Sequence, residues 1–377
     1  MKRGIGFGLA VAVLTALGLS GPAGARPLTA RPAQKARSAG GPVAPAAPAA
    51  VGRSLIVKCR AANPTCWPTS FAFAPDGRIW YIERFTGQIR VYNPKTKKDG
   101  LWKTIGPLAT DGEQGLLGLA LDPSFPSSPW VYVYYTQPRP VNHIVRWRRN
   151  ANGSFSYKSL KWIPAGTYHN GGKIKFGPDG NLYAVTGETT DKALAQNLSS
   201  LGGKVLRMNR SGYVPTGNPF RNLVWSYGHR NSFGLAFDPV TKNLWQTENG
   251  PDCNDEINRI VKGGNFAWGP NAACPNTNNS GPSPRRLPAW LYQSIIAPTG
   301  AGFCNGCGLG PAAEGALLFG TWGDHKIRAL KLTADRLGVV SSTVIYTHIA
   351  GILDMEVAPG GSVYFSSPQG IYRMVSV

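Results

Sequence analysis

The chain has 377 residues, 42% hydrophobic and only 16% charged, so it can bury a large core. Its 47 glycines and 31 prolines favour many turns over long helices and point to an all-β domain. A formal charge of +21 suits anionic partners, but no recognition helix or aromatic-interleaved basic motif speaks for nucleic acid.

In residues 1–25, Lys2 and Arg3 precede an apolar stretch that ends in Ala23-Gly24-Ala25. This predicts a secretory signal peptide and a secreted or extracytoplasmic mature chain. No cysteine stands at that cleavage point, and no later apolar run approaches the roughly 20 residues of an integral membrane segment. Residues 26–52 are Ala/Pro-rich without an aromatic residue and predict a disordered leader before a domain at 53–377. That domain keeps 34 basic and 19 acidic residues, a net +15. Six cysteines suit an exported, disulfide-bonded protein, and the shortest loops join Cys59–Cys66, Cys253–Cys274 and Cys304–Cys307. All fifteen pairings remain formally open. The Cys304/Cys307 spacing lacks the second half of a zinc site.

An apolar strand, a proline turn and a second apolar strand recur at 71–84, 118–136, 174–188, 234–249 and 355–367, as in FAFAPDGRIWYIER. The long last interval leaves room for a degenerate copy, for which 316–332 is the candidate. Period-2 alternation around each turn predicts hairpins. Six units of roughly 54 residues, each with room for four strands, predict a six-bladed β-propeller.

The densest constellation of side chains lies at 225–269. There Gly228-His229-Arg230-Asn231 precedes Glu248-Asn249-Gly250-Pro251 and Asp255-Glu256-Ile257-Asn258. Arg230 offers a forked set of donors and Asn231 one more, a pair suited to carboxylate or carbonyl groups. An ion pair from Arg230 to Glu248 or Asp255 is the structural alternative. The Gly250-Pro251 carbonyls and neighbouring acids are hard oxygen donors of the kind calcium takes, or simply an acidic turn. His169, in TYHNGGKIKFGPDG, precedes an inner-strand candidate, and its near-neutral pKa class suits it to take a proton from an alcohol. Glu113 lies in DGEQGLLG, where it either faces the same mouth or caps loop amides. His229 reads as structural, and Lys204 reads as a tether between blades.

These motifs resemble the glucose/sorbosone dehydrogenase family, soluble sugar dehydrogenases that use pyrroloquinoline quinone (PQQ). The resemblance implies a six-bladed propeller that oxidises a sugar or polyol hydroxyl by hydride transfer to the quinone. It implies His169 as general base, Glu113, Arg230 and Asn231 as cofactor or substrate contacts, and calcium on the Gly250 and Pro251 carbonyls. An acid of the following Asp-Glu pair would serve a second, structural calcium. A small-molecule sugar is the implied substrate, and the sequence leaves the electron acceptor open. The segments Thr321–His325 and Gly351–Asp354 depart from the family pattern, which places three cations there for the quinone carboxylates. Each lost charge-assisted bond weakens binding by roughly 1.5–3 kcal/mol, with Lys326 or Arg328 as possible replacements. Two other readings use the same mouth: a non-catalytic propeller that binds glycan or protein, and a calcium-dependent sugar lactonase. No GxSxG elbow, Walker loop or GxGxxG before a helix supports nucleophilic hydrolysis or nucleotide binding.

Overall fold

Alternating apolar residues on either side of a Pro-Asp-Gly turn can bury one face only when hairpins join into sheets and the sheets pack on each other. In the computed structural model, which describes residues 50–59, 66–139 and 141–377, this gives six four-stranded antiparallel sheets. They form a six-bladed β-propeller. The predicted signal peptide and most of the predicted leader lie outside the described residues. Its last residues, Val51 and Gly52, already belong to the first strand, Val51–Lys58.

The innermost strands, in chain order, are Ser70–Phe73, Leu116–Leu121, Ile174–Phe176, Ser232–Phe237, Pro298–Phe303 and Asp354–Val357. They define blades one to six. Blade six takes its outermost strand from the other end of the chain, where Val51–Lys58 pairs antiparallel with Gly370–Ser376. Apolar clusters fill the wedges between neighbouring blades, as where Ile144, Tyr132 and Ile163 of blade two meet Leu182 and Leu206 of blade three. Three disulfides are present, Cys59–Cys66, Cys253–Cys274 and Cys304–Cys307. No helix among the described residues is long and apolar enough to cross a membrane.

The sixth repeat lies elsewhere than its candidate. Residues 316–332 fall on the second and third strands of blade five, Leu317–Thr321 and Lys326–Leu332. The hairpin equivalent to the other copies joins Pro298–Phe303 to Leu317–Thr321. Its connection, residues 304–316, carries the Cys304–Cys307 disulfide in place of a short proline turn.

Blades three and six stand opposite each other, and side chains cross the channel between them. The Lys173 ammonium lies 2.7 and 2.6 Å from the two Asp354 oxygens and 2.8 Å from Glu356 Oε1, and Lys175 lies 2.5 Å from Glu356 Oε2. Lys173 and Asp354 are almost fully buried. Removing one partner of a buried ion pair leaves the other uncompensated. Lys173→Met is therefore expected to cost about 3–5 kcal/mol, read as a lower urea midpoint. Adding Asp354→Asn should restore part of that loss.

Two buried histidines set a pH dependence. Burial pushes His143 and His348 down to about 4. Between that value and the unfolded one near 6.5, the unfolded chain binds more protons, so stability rises with pH in that window and is lost as pH falls through it. Urea midpoints measured from pH 7 to pH 4 should fall, and His143→Gln should flatten the slope by up to about 1.4 kcal/mol per pH unit.

Candidate active site

The loops leading into all six innermost strands converge on one mouth of the channel. They enclose a cavity of about 320 Å³ to which the blades contribute Thr69, Leu117, Gly171, Phe233, Thr299 and Leu353 in turn. Two indoles, Trp67 and Trp322, lie at its wall with ring centroids 5.2 Å apart. Glu113, Asn249, Arg84 and Lys173 supply its polar groups.

His169 sits beside this mouth in a left-handed backbone conformation, φ +56°. Such a conformation is uncommon for a non-glycine residue and persists where surrounding contacts hold it. Here the backbone N–H donates to Glu113 Oε2 at 2.8 Å, and the carbonyl accepts from Thr189 at 3.1 Å. Gly187 makes room for the bend, since a Cβ there would lie 1.9 Å from the His169 carbonyl oxygen. The ring is fixed by Glu188, whose Oε1 is 2.9 Å from Nδ1. An ionised carboxylate only accepts, so Nδ1 carries the proton and the neutral ring keeps a lone pair on Nε2. No partner for Nε2 occurs among the described residues, and the side chain remains partly exposed.

An equivalent pair in blade four has a different fate. His229 Nδ1 lies 2.8 Å from Glu248 Oε2, again 19 residues on, but its Nε2 is bound to Ser226 Oγ at 2.8 Å. The ring is fully buried and stacked on Phe266. Both nitrogens are used, so His229 is structural.

Arg230 forms no ion pair within 4 Å among the described residues. The tether to Glu248 or Asp255 is not made by its side chain; only its backbone N–H reaches the Glu248 carboxylate. The guanidinium donates to Asn249 O at 3.0 Å and lies over the Trp268 ring. Burial lowers its pKa, while Glu188 and Glu113 act in the opposite sense. Asn231 is committed at both ends, donating to Glu113 Oε2 at 3.0 Å and accepting from Gly171 N–H at 3.2 Å. Glu113 thus joins His169 and Asn231, and the three close one unit of the mouth.

The acidic turn is largely satisfied from within the protein. Asp255 accepts from Gly250, Ile296 and Ala297 N–H groups. Glu256, opposite Glu248 across the strands, is pushed up to about 8 by burial and by the Glu248 charge. These partners leave little for a structural calcium. The turn itself differs: the Gly250 and Pro251 carbonyls accept no hydrogen bond among the described residues, and the buried Asn249 Oδ1 beside them has no donor. Three hard oxygens of the segment 249–251 are therefore uncommitted among the described residues.

Lys326 and Arg328 do not replace the missing cations, because both pair with Asp324, at 3.3 and 2.5 Å. Trp322 lies in one of the two stretches where the resemblance led a cation to be expected. The cavity draws its positive charge from Arg84 instead, whose Nε donates to Gln114 O at 2.9 Å and which packs over Phe85 and Trp67. Among the described residues Arg84 forms no ion pair within 4 Å, and burial lowers its pKa. Lys204 is not the tether between blades that the sequence suggested: it is buried and donates to Leu194, Ala195 and Gly202 carbonyls within its own blade.

Sequence reasoning missed Glu188, Arg84, Lys173 and the two tryptophans, while Asn249 was among the hard oxygen donors it placed beside Gly250 and Pro251. For Glu188 a signal existed, because an acid stands at or just past the end of the second strand of the repeat at 83, 188 and 248.

The sequence model of the glucose/sorbosone dehydrogenase family matches residues 66–373. Quinoprotein glucose dehydrogenase B of Acinetobacter calcoaceticus is 35% identical over 246 residues, 55% of this chain and half the length of that relative. Aldose sugar dehydrogenase YliI of Escherichia coli is 25% identical over 82% of this chain and 89% of its own. The PQQ-bound aldose sugar dehydrogenase of Streptomyces coelicolor superposes with a TM-score of 0.74 at 28% identity, covering 87% of this chain and 99% of that one. The chain belongs to the glucose/sorbosone dehydrogenase family, a family of sugar oxidoreductases.

Proposed function

We propose that this protein is a PQQ-dependent sugar dehydrogenase, and that His169 is its general base. The observation that carries the reading is the His169 ring itself, oriented by Glu188, with Nε2 unpartnered among the described residues and with Glu113, which holds its backbone N–H, lining the cavity together with Arg84. Desolvated guanidiniums without carboxylate partners favour an anionic ligand, which supports a tricarboxylate quinone held by Arg230 and Arg84. Trp67 and Trp322 offer flat apolar surface for a planar ring system. The hard oxygens of Asn249, Gly250 and Pro251 suit calcium.

Bound quinone supplies a two-electron acceptor, with calcium polarising it. The protein's part is to bind the sugar, hold its hydroxyl against Nε2 and take that proton as the carbinol carbon becomes a carbonyl. Glu188 stabilises the imidazolium that results, and Glu113 fixes the loop that carries the ring. Export through residues 1–25 belongs to the same proposal, and three disulfides suit an oxidising compartment. The lactonase reading has less support, since it needs carboxylates on a metal. The one cluster of three metal-type side chains among the described residues is Cys304, Cys307 and Glu314, and its cysteines are joined.

The test is reconstitution of the purified protein with PQQ and calcium, followed by calorimetry and dye reduction across an aldose panel. His169→Ala should lower kcat by about 10²–10⁴ while leaving quinone affinity near wild type. Arg230→Met should instead weaken quinone binding about 10- to 150-fold, the equivalent of roughly 1.5–3 kcal/mol. Failure of the wild-type protein to bind quinone in the calorimeter would refute the proposal.

A further inference from the structure

Lys204 is fully buried, yet it forms no ion pair within 4 Å among the described residues. Its ammonium lies 2.6 Å from Leu194 O, 3.0 Å from Ala195 O and 2.6 Å from Gly202 O. Burial without a counter-charge is costly, and it pushes this lysine down to about 7. An apolar side chain of similar length would fill the space without that cost. Nor do the carbonyls all require it, since Leu194 O already accepts from Asn197 N–H and Ala195 O from Gly228 N–H. What the ammonium adds is direction, because three donors on one atom hold three carbonyls in fixed relative places.

Leu194 and Ala195 belong to the short helix Lys192–Gln196, inserted between the second and third strands of blade three. Blade four leans on that helix. Gly228 N–H donates to Ala195 O at 2.9 Å and His229 N–H to Gly203 O at 3.2 Å, so the turn that carries Arg230 and Asn231 hangs on groups beside the ammonium. Gln196 Nε2 donates to Trp268 O at 2.6 Å, and Trp268 N–H donates to Gly228 O at 2.9 Å. Lys192 of the helix lies 5.1 Å from the Trp268 ring centroid, and Arg230 lies 5.4 Å from it. The contact has no slack: a Cβ on Gly228 would lie 2.4 Å from Asn265 Oδ1, and one on Gly203 2.6 Å from His229 O. The Arg230 guanidinium has one hydrogen bond among the described residues, to Asn249 O, and the Trp268 ring is its other support.

We propose that Lys204 is a positioning residue for the cofactor side of the site. Through the helix it holds the Gly228–Asn231 turn and Trp268, and with them the Arg230 guanidinium, where an anionic cofactor is met. The role rests on the dehydrogenase reading, and it gives Lys204 no contact with quinone or sugar.

Calorimetry with PQQ and calcium, urea midpoints and amide exchange test it on Lys204→Met and Lys204→Gln. Lys204→Met should weaken PQQ binding about 10-fold and speed exchange at the Gly228 and Trp268 amides, while the urea midpoint moves little. Lys204→Gln keeps two donors and should recover part of the affinity. Arg336→Met breaks the buried pair with Asp238 between blades four and five, and should lower the midpoint with PQQ affinity unchanged. A Lys204→Met protein that loses stability but binds PQQ as wild type does would make the lysine merely structural and overturn the proposal. Equal loss of affinity in Arg336→Met would overturn it too. Should Lys204→Met fail to fold, Lys204→Gln decides: weakened PQQ binding at a near-wild-type midpoint supports the role, and unchanged binding overturns it. A wild type that binds no PQQ would refute the dehydrogenase reading and this role with it, whereas a wild type and a Lys204→Met that bind equally would refute this role alone.

Discussion

The buried contact of Lys173 and Lys175 with Asp354 and Glu356 is the constraint on which the site depends. It joins opposite blades across the channel, so it fixes the diameter of the ring at the level where the innermost strands begin. The cavity stands on this floor, since Lys173 lines it from below while Lys175 and Glu356 line a second hollow at the other mouth. With the channel blocked at that depth, the mouth carrying His169 is the open route to the cavity. A buried ionic crossing is a poor source of net stability beside an apolar one. Its value here is register, because charges that must meet hold six wedges at one spacing.

Much of the architecture was legible because the repeat states it. Five proline turns between alternating apolar strands give the hairpins, and their spacing gives the blade count. Blade five escaped because its inner hairpin has no such turn. The 13-residue connection with its disulfide supplies by covalent means the closure that Pro-Asp-Gly supplies elsewhere. The closing strand Val51–Lys58 was cut short by two residues, since composition changes gradually where pairing begins abruptly.

The site was legible by halves for a similar reason. His169, Glu113 and Asn231 lie in distinctive motifs, and the fold does bring them into direct contact. Arg84, Trp67 and Lys173 belong to segments that look like ordinary strand ends, and only ring closure brings them to the cavity. The charge lost from the late blades was therefore not replaced where strand alternation suggested, at Lys326 or Arg328. Asp324 neutralises both, and the guanidiniums without a carboxylate partner among the described residues that stand near the site are those of Arg84 and Arg230, from blades one and four.

The strand that completes blade six gives the fold an order in time. Val51–Lys58 is among the first parts of the domain to be synthesised, while its partner Gly370–Ser376 is the last. The opening strand must stay unpaired until some three hundred further residues exist, and the ring cannot shut before Gly370–Ser376 is made. Such long-range pairing slows folding. A fold that locks only through the pairing of Val51–Lys58 with Gly370–Ser376 stays uncommitted while most of the domain is being made.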